Sequence, residues 1–128
     1  MKESENREAT IALEKLSIGY DTRHGRKVVV QDICAHLQRG ELTCLIGANG
    51  VGKSTLLRTL SAFQPPLSGE IRLLGKPLVE YSPKKLARLL AMVLTHKTTT
   101  DNLTVRELVG MGRSPYTGFF GRLGEADR

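Results

Sequence analysis

The sequence predicts an α/β fold in which an antiparallel β-subdomain precedes a core of buried strands and helices. Residues 11–37 alternate apolar and polar side chains with a period of two, which is typical of half-buried strands. From residue 53 the apolar residues recur at helical spacing. Between the two patterns, residues 42–46 form a short continuous apolar run, which predicts a strand buried on both faces.

The composition is that of an ordinary globular protein. The chain has 128 residues, of which 40% are apolar, and this fraction excludes a disordered tail. Two cysteines are too few for a disulfide scaffold, and because Cys34 and Cys44 both lie in apolar runs, we expect them to be reduced core residues. No stretch approaches the roughly 18 to 20 apolar residues of a membrane span. The polar, mixed-charge N-terminus does not fit a signal peptide.

The formal net charge of +6 lies mostly in the last third of the chain. Its basic residues are scattered, without a basic run and without the basic and aromatic motif that single-strand binders carry. We therefore interpret the charge as a solvated face and expect no nucleic-acid partner.

Two period-2 segments predict an antiparallel hairpin at the start of the chain. The first alternates from Ile11 to Ile18, with a slip at residues 14–15 that predicts a bulge or a bend. A polar turn at residues 21–25 leads into the second segment, which begins at Lys27. Shorter strands are expected at residues 71–74 and, buried in the core, at 91–94; a polar loop is expected at 98–102.

Three helices are expected after the hairpin. The first begins at Lys53 and should end at the two prolines 65–66. The second should be capped by Ser82, and the third begins with a capping box formed by Thr104 and Glu107. Apolar residues at helical spacing predict one buried side for each helix: Leu56, Leu57, Leu60 and Phe63; Leu86, Ala87, Leu89 and Leu90; Val105, Leu108, Val109 and Met111.

Residues 47–54 carry the decisive chemical motif. They read G-A-N-G-V-G-K-S, followed by Thr55, and match the pattern G-x-x-x-x-G-K-[S/T]. Such a loop follows a buried strand and opens a helix, because its backbone amides wrap an anion at the positive end of the helix dipole. The glycines let a phosphate approach the backbone. The motif predicts binding of a nucleoside triphosphate.

Each polar group of this loop has an expected role. Lys53 should reach the β- and γ-phosphates as a point charge, and the Ser54 hydroxyl should bind Mg²⁺. The amide or hydroxyl of Thr55 should reach the α-phosphate. The expected nucleotide-binding set in and after the loop is Asn49, Gly50, Gly52, Lys53, Ser54 and Thr55.

The segments around the loop resemble those of a known family. L-S-I-G-Y precedes the loop at residues 16–20, L-L-R-T-L follows it at 56–60, and P-L-S-G-E-I comes after the helix at 66–71. This order resembles the ATP-binding cassette (ABC) family, the motor subunits of ABC transporters. Segments 85–91 and 103–116 look most like those of the ATPases of iron-siderophore, haem and vitamin B12 importers.

The resemblance implies a P-loop NTPase fold with ATP and Mg²⁺ as ligands. Tyr20 matches the family's aromatic residue that stacks on adenine; the alternative is a turn residue that closes the first strand. Transmembrane permease subunits and a second nucleotide-binding domain, in a homodimer, are the implied partners. The implied location is peripheral, on the cytoplasmic face of the inner membrane.

The sequence also departs from the family pattern. Thr95 lies at or next to the position of a glutamine that touches Mg²⁺ in the family, and its hydroxyl is a shorter candidate ligand. An L-S-G-G-Q-like signature, an apolar run ending in Asp-Glu and a switch histidine are absent, so we assign no catalytic residue. We expect residues 1–95 to form the β-subdomain and P-loop core, and residues 96–128 to begin a helical subdomain that is cut off before it is complete.

The resemblance implies an ATP-binding subunit that couples ATP hydrolysis to uptake of an iron complex, haem or cobalamin. The 128 residues themselves are expected to be the N-terminal half of a nucleotide-binding domain and to bind ATP without hydrolysing it. Two alternatives remain. A P-loop kinase would need an acceptor site and an arginine-rich lid, for which Arg113 and Arg122 are weak candidates. A P-loop protein that acts on nucleic acid would use the positive charge.

Overall fold

The computed structural model describes residues 9–94 and 102–117. The chain divides into two units, Met1–Tyr81 and Ser82–Arg128, and each is described by itself. Residues 95–101, which include Thr95, lie outside the described residues. The expected boundary after residue 95 therefore stays a prediction.

A long antiparallel hairpin opens the first unit. Strand β1 (Ile11–Thr22) pairs along its length with strand β2 (Gly25–Leu37). The Thr22 hydroxyl closes the turn, because it donates to the Gly25 carbonyl at 2.7 Å and accepts from the His24 amide at 3.2 Å. The predicted hairpin is confirmed.

Two further strands complete an antiparallel sheet of order β2-β1-β3-β4. Strand β3 (Ser68–Leu73) pairs with β1, and the two-residue β4 (Lys76–Pro77) pairs with β3. The predicted bulge at residues 14–15 is confirmed: the register shifts between Leu13 and Leu16, and Lys15 has a φ of 46°. A single 3₁₀ turn, Leu78–Glu80, follows the sheet.

One face of the sheet carries most of the core among the described residues. The alternation of β1 places apolar side chains on this face, and β3 adds its own from the neighbouring position. Thr59, the fully buried polar residue, comes from the helix that follows the glycine-rich loop. The buried apolar side chains are Leu13, Leu16, Ile18, Ile71, Leu73 and Leu78.

Helix α1 (Lys53–Leu60) begins where the sequence predicts but ends before the prolines. Its end is a Schellman motif, in which the Phe63 amide bonds to the Arg58 carbonyl and the Ala62 amide to the Thr59 carbonyl. Ala62 takes the left-handed conformation that this cap requires, with a φ of 60°. The expected buried side is wrong for Leu57 and Phe63, which are exposed, whereas Leu56 and Leu60 are half-buried.

The expected core strands at residues 42–46 and 91–94 are wrong for the described residues. Neither segment has strand structure, and Leu42, Ile46 and Val93 are each at least 90% exposed. A strand buried on both faces needs a bonded strand at each edge and side chains packed on each face. No described strand pairs with either segment. The same exposure corrects the expectation for the cysteines, because Cys34 and Cys44 are free but exposed.

The described part of the second unit contains two short helices. Helix α2 (Pro83–Leu86) is capped by the Ser82 hydroxyl, which accepts from the Lys85 amide. Helix α3 (Val105–Met111) begins with the predicted capping box. Both caps are confirmed because they depend on local bonds. The buried sides are wrong, since neither helix has a buried residue.

The capping box should make α3 sensitive to pH. The Thr104 hydroxyl and then the Thr104 amide donate to the Glu107 carboxylate at 2.7 and 2.8 Å, and both bonds hold the pKa of Glu107 below its ordinary value. A carboxylate with a lowered folded-state pKa stabilises the fold above its unfolded pKa, and this stabilisation is lost as pH falls through the folded pKa.

We therefore expect acid to loosen the start of α3 as Glu107 becomes protonated. A pH titration followed by nuclear magnetic resonance of the Thr104 and Glu107 amides detects this loosening directly as an acid step. Because a Glu107→Gln variant has no carboxylate to titrate, the step should vanish from its titration. An unchanged acid transition in that variant would show that another group controls it.

Candidate phosphate-binding site

The glycine-rich loop leads directly into the N-terminus of α1, as the motif predicts. Gly52 is the N-cap residue of this helix and has a φ of 110°, a left-handed conformation that residues with a Cβ atom rarely adopt. The Leu56 amide donates to the Gly52 carbonyl at 2.8 Å and closes the first helical turn. The loop thus has its predicted place on the helix, although the strand expected before it is absent.

The Lys53 side chain folds back across the loop. Its ammonium donates to the carbonyls of Gly47 and Ala48 at 2.6 and 2.7 Å. An ammonium has three N–H donors, and among the described residues these two bonds are the ones it makes. Lys53 therefore holds the loop closed with two of its three donors.

The first turn of α1 is arranged to receive negative charge. It has no acidic residue, and no side chain caps its N-terminus. The first amides of a helix lack acceptors within the helix, and the helix dipole concentrates positive charge there. Since Lys53 is the one ionisable side chain of residues 47–55, the charge at this end of the helix is positive.

Packing of the loop on β2 is a feature that sequence reasoning missed. A Cβ atom at Gly52 would lie 2.7 Å from Val29 Cγ1 and 3.1 Å from Val30 Cγ2. Gly52 therefore has two requirements, a left-handed backbone and direct contact with the strand. The motif indicates the first requirement, but no pattern in the sequence indicates which strand the loop touches.

Tyr20 lies near the end of β1 and is 45% exposed. The Lys27 ammonium, from the paired position on β2, lies 5.8 Å from the centre of the tyrosine ring. A cation at this distance is attracted to the ring face. The side chain is accessible to a ligand, and its role in binding adenine stays a prediction.

The described residues fit a metal that arrives with phosphates rather than a metal held by the protein alone. Ser54 is exposed in the first turn of α1 and offers one hydroxyl oxygen. The described part of the chain has no cluster of three or more His, Cys, Asp or Glu residues that could hold a metal ion. Mg²⁺ is commonly bound by one or two protein oxygens together with substrate phosphates, which agrees with this donor set.

Within residues 9–94 and 102–117, no helix is long and apolar enough to cross a bilayer.

Comparison with known proteins gives a family match across most of the chain. Residues 30–127 match the sequence model of the ABC transporter family. An uncharacterized ABC transporter ATP-binding protein of Methanocaldococcus jannaschii is 45% identical over 115 residues, which are 90% of this chain and 38% of that protein.

Several relatives have names that state a cargo, among them the following two. The iron(3+)-hydroxamate import ATP-binding protein of Bacillus subtilis is 39% identical over 93% of this chain and 43% of its own length. The hemin import ATP-binding protein of Enterobacter cloacae is 44% identical over 75% of this chain and 36% of its own length. The chain therefore spans about two fifths of the length of the curated relatives it matches.

A solved structure confirms the predicted fold class. The ATP-binding subunit of an ABC transporter matches with a TM-score of 0.72 and 28% identity, over 91% of this chain and 45% of that one. The fold of this chain therefore corresponds to about half of that subunit.

Proposed function

Because the chain belongs to the ABC transporter family, we propose that it binds Mg²⁺-ATP at residues 47–55 as part of the ATP-binding subunit of an importer. The observation that carries this proposal is the Lys53 ammonium, held against two loop carbonyls at the uncapped N-terminus of α1. A triphosphate bound there would meet backbone amides, the helix dipole and the ammonium together.

Different residues of the loop bind different parts of the triphosphate. Lys53 contacts the β- and γ-phosphates, and Thr55 contacts the α-phosphate through its amide or hydroxyl. Asn49, Gly50 and Gly52 contribute backbone that a phosphate can approach closely. Ser54 binds the Mg²⁺ that accompanies the nucleotide, and this ion neutralises phosphate charge.

Tyr20 supplies the contact with the base. Its exposed ring stacks on adenine, an interaction worth about 1 to 3 kcal/mol per base. Lys27 already lies over the same ring, so the base takes the opposite face or displaces the lysine. Thr95 is the proposed second protein ligand of Mg²⁺ and lies outside the described residues.

The whole protein, in this proposal, couples ATP hydrolysis to uptake of an iron complex, a siderophore or haem. The names of the relatives from Bacillus subtilis and Enterobacter cloacae support this cargo class. Permease subunits in the membrane and a second copy of the nucleotide-binding domain are the proposed partners. The proposed location is the cytoplasmic face of the membrane.

The 128 residues are proposed to bind ATP without turning it over. Hydrolysis depends on a group that orients the attacking water, and the sequence has no apolar run ending in Asp-Glu that would supply one. The alternatives of a P-loop kinase and of a nucleic-acid-acting protein are not favoured by the relatives.

A thermal unfolding experiment with Mg²⁺-ATP tests the proposal. At a concentration about a hundredfold above Kd, ATP should raise the free energy of unfolding by about 2.7 kcal/mol. Lys53→Ala should weaken binding at least about tenfold, because a hydrogen bond to a charged group contributes about 1.5 to 3 kcal/mol. Lys76→Ala removes the same charge from β4 and should bind like the wild type.

Two outcomes would contradict the proposal. One is a wild-type chain that Mg²⁺-ATP does not stabilise. The other is equal stabilisation of the wild type and Lys53→Ala, which would place the nucleotide elsewhere. A separate measurement tests the proposal that the chain binds ATP without hydrolysing it: release of phosphate from ATP by the purified chain would contradict that proposal.

A further inference from the structure

A glutamine after α1 connects the strand that carries Tyr20 to the helix that follows the phosphate loop. The Gln64 side-chain amide nitrogen donates to the Gly19 carbonyl at 3.0 Å and to the Thr59 hydroxyl at 3.1 Å. Gly19 precedes Tyr20 in β1, whereas Thr59 belongs to α1. One side chain thus contacts the two elements that hold opposite ends of the proposed nucleotide site.

The Gly19 carbonyl is available because the sheet ends beside it. Pairing between β1 and β3 stops at Ser17 and Ser68, and the Leu67 amide donates to the Ser17 carbonyl at 2.8 Å. The Gly19 carbonyl lies two residues further along β1 and therefore faces the same edge. Gln64 donates to it in place of the next backbone amide and extends the ladder by one bond.

Thr59 sets the orientation of the glutamine. Its hydroxyl is fully buried and donates its one hydrogen to the Thr55 carbonyl at 2.8 Å. The hydroxyl oxygen can then only accept from Gln64, whose two amide hydrogens are both used. The bonds form a continuous path from Gly19 through Gln64 and Thr59 to Thr55, a proposed contact of the α-phosphate.

The backbone at Gly19 is also close-packed from other sides. A Cβ atom there would lie 2.7 Å from Leu67 Cδ1 and would collide with the Lys27 carbonyl. This part of β1 has little room to shift while Gln64 holds its carbonyl. The exposed ring of Tyr20, one residue later, is therefore carried on a backbone that is tied to α1.

We propose that Gln64 is a positioning residue that sets Tyr20 relative to the phosphate loop, so that it controls affinity for the base of the nucleotide and not for its phosphates. The inference rests on the proposed function, because it assumes that the loop binds phosphates and that Tyr20 stacks on adenine. Stacking requires a defined distance and angle between two rings, whereas the loop binds phosphates through its own backbone and Lys53.

Calorimetric titration of the full 128-residue chain with two ligands tests this role. Mg²⁺-ATP has a base, and Mg²⁺-tripolyphosphate has only the phosphates. Gln64→Met keeps the length of the side chain and removes both donors, so we expect Kd for ATP to rise about tenfold and Kd for tripolyphosphate to change less than about twofold. Gln31→Met, at an exposed position on β2, should leave both constants unchanged.

Equal weakening of both ligands in Gln64→Met would overturn the inference, because it would indicate a merely structural role. Unchanged binding of both ligands would overturn it too, while leaving the proposed function intact. In a Tyr20→Ala background, adding Gln64→Met should weaken ATP binding less than about twofold further, and a full tenfold loss there would contradict action through Tyr20. A wild-type chain that binds neither ligand would refute the proposed function itself.

A measurement on the wild type keeps the test decisive if Gln64→Met does not fold. The side-chain amide signals of Gln64 should shift more in nuclear magnetic resonance spectra when ATP binds than when tripolyphosphate binds. Movement of the Tyr20 backbone signal with ATP, without movement of the Gln64 signals, would overturn the inference.

Discussion

Replacing Gly69 with alanine is expected to lower the free energy of unfolding by about 2 to 5 kcal/mol. Gly69 has a φ of 81°, so any side chain there is strained. A Cβ atom would also collide with the Lys15 carbonyl and lie 2.6 Å from the Glu14 oxygen. Those atoms are backbone of the β1 bulge, where two residues of β1 lie opposite the single residue Gly69.

Gly75→Ala is the matched control at the other end of β3. Gly75 has a similar φ of 74°, but a Cβ atom there would meet no atom within 4 Å. Gly75→Ala should therefore lower the free energy of unfolding only by the cost of the left-handed conformation, about 1 to 2 kcal/mol. Denaturant unfolding followed by circular dichroism compares the two variants. An equal decrease in the free energy of unfolding of both variants would show that the backbone of the bulge shifts to accommodate the new methyl group.

Leu16→Ala should destabilise the fold by about 2 to 5 kcal/mol. Leu16 is fully buried beneath the sheet, and truncation leaves a cavity that the surrounding strands fill only partly. Because small domains are stable by only about 5 to 15 kcal/mol, such a loss is a large part of the total.

The control for Leu16 is Leu42→Ala. Leu42 is 93% exposed, so removing its side chain should change the free energy of unfolding by about 0.5 kcal/mol or less. The same denaturant titration measures both variants. A loss at Leu42 as large as the loss at Leu16 would mean that residues 42–46 are buried in solution, and it would contradict the structure of that segment.

The structural features that depend on local interactions were predicted well from the sequence. The capping box of Thr104 and Glu107, the Ser82 cap and the start of α1 at Lys53 depend on bonds between residues close in sequence. The hairpin was predictable because its period-2 pattern and its turn lie next to each other in the chain. Such features form from the same local interactions wherever the rest of the chain lies.

Predictions that depend on distant partners were less successful. The apolar run at residues 42–46 has the composition of a buried strand, but burial requires neighbours at both edges and on both faces. A pattern of leucines at helical spacing likewise shows which side of a helix is apolar, and not what covers it. Leu57 is exposed for this reason, whereas Thr59 is fully buried and its hydroxyl accepts a hydrogen bond from Gln64.

The candidate site shows the same division. The motif at residues 47–54 and the resemblance of its surroundings determined the family and the expected binding residues, because loop, lysine and helix N-terminus are consecutive in the chain. Only the tertiary structure showed that Gly52 packs on Val29, that Gln64 bonds to Gly19, and that Gly69 fits the bulge of β1. These contacts join residues far apart in sequence, and their geometry depends on how the strands and α1 pack together.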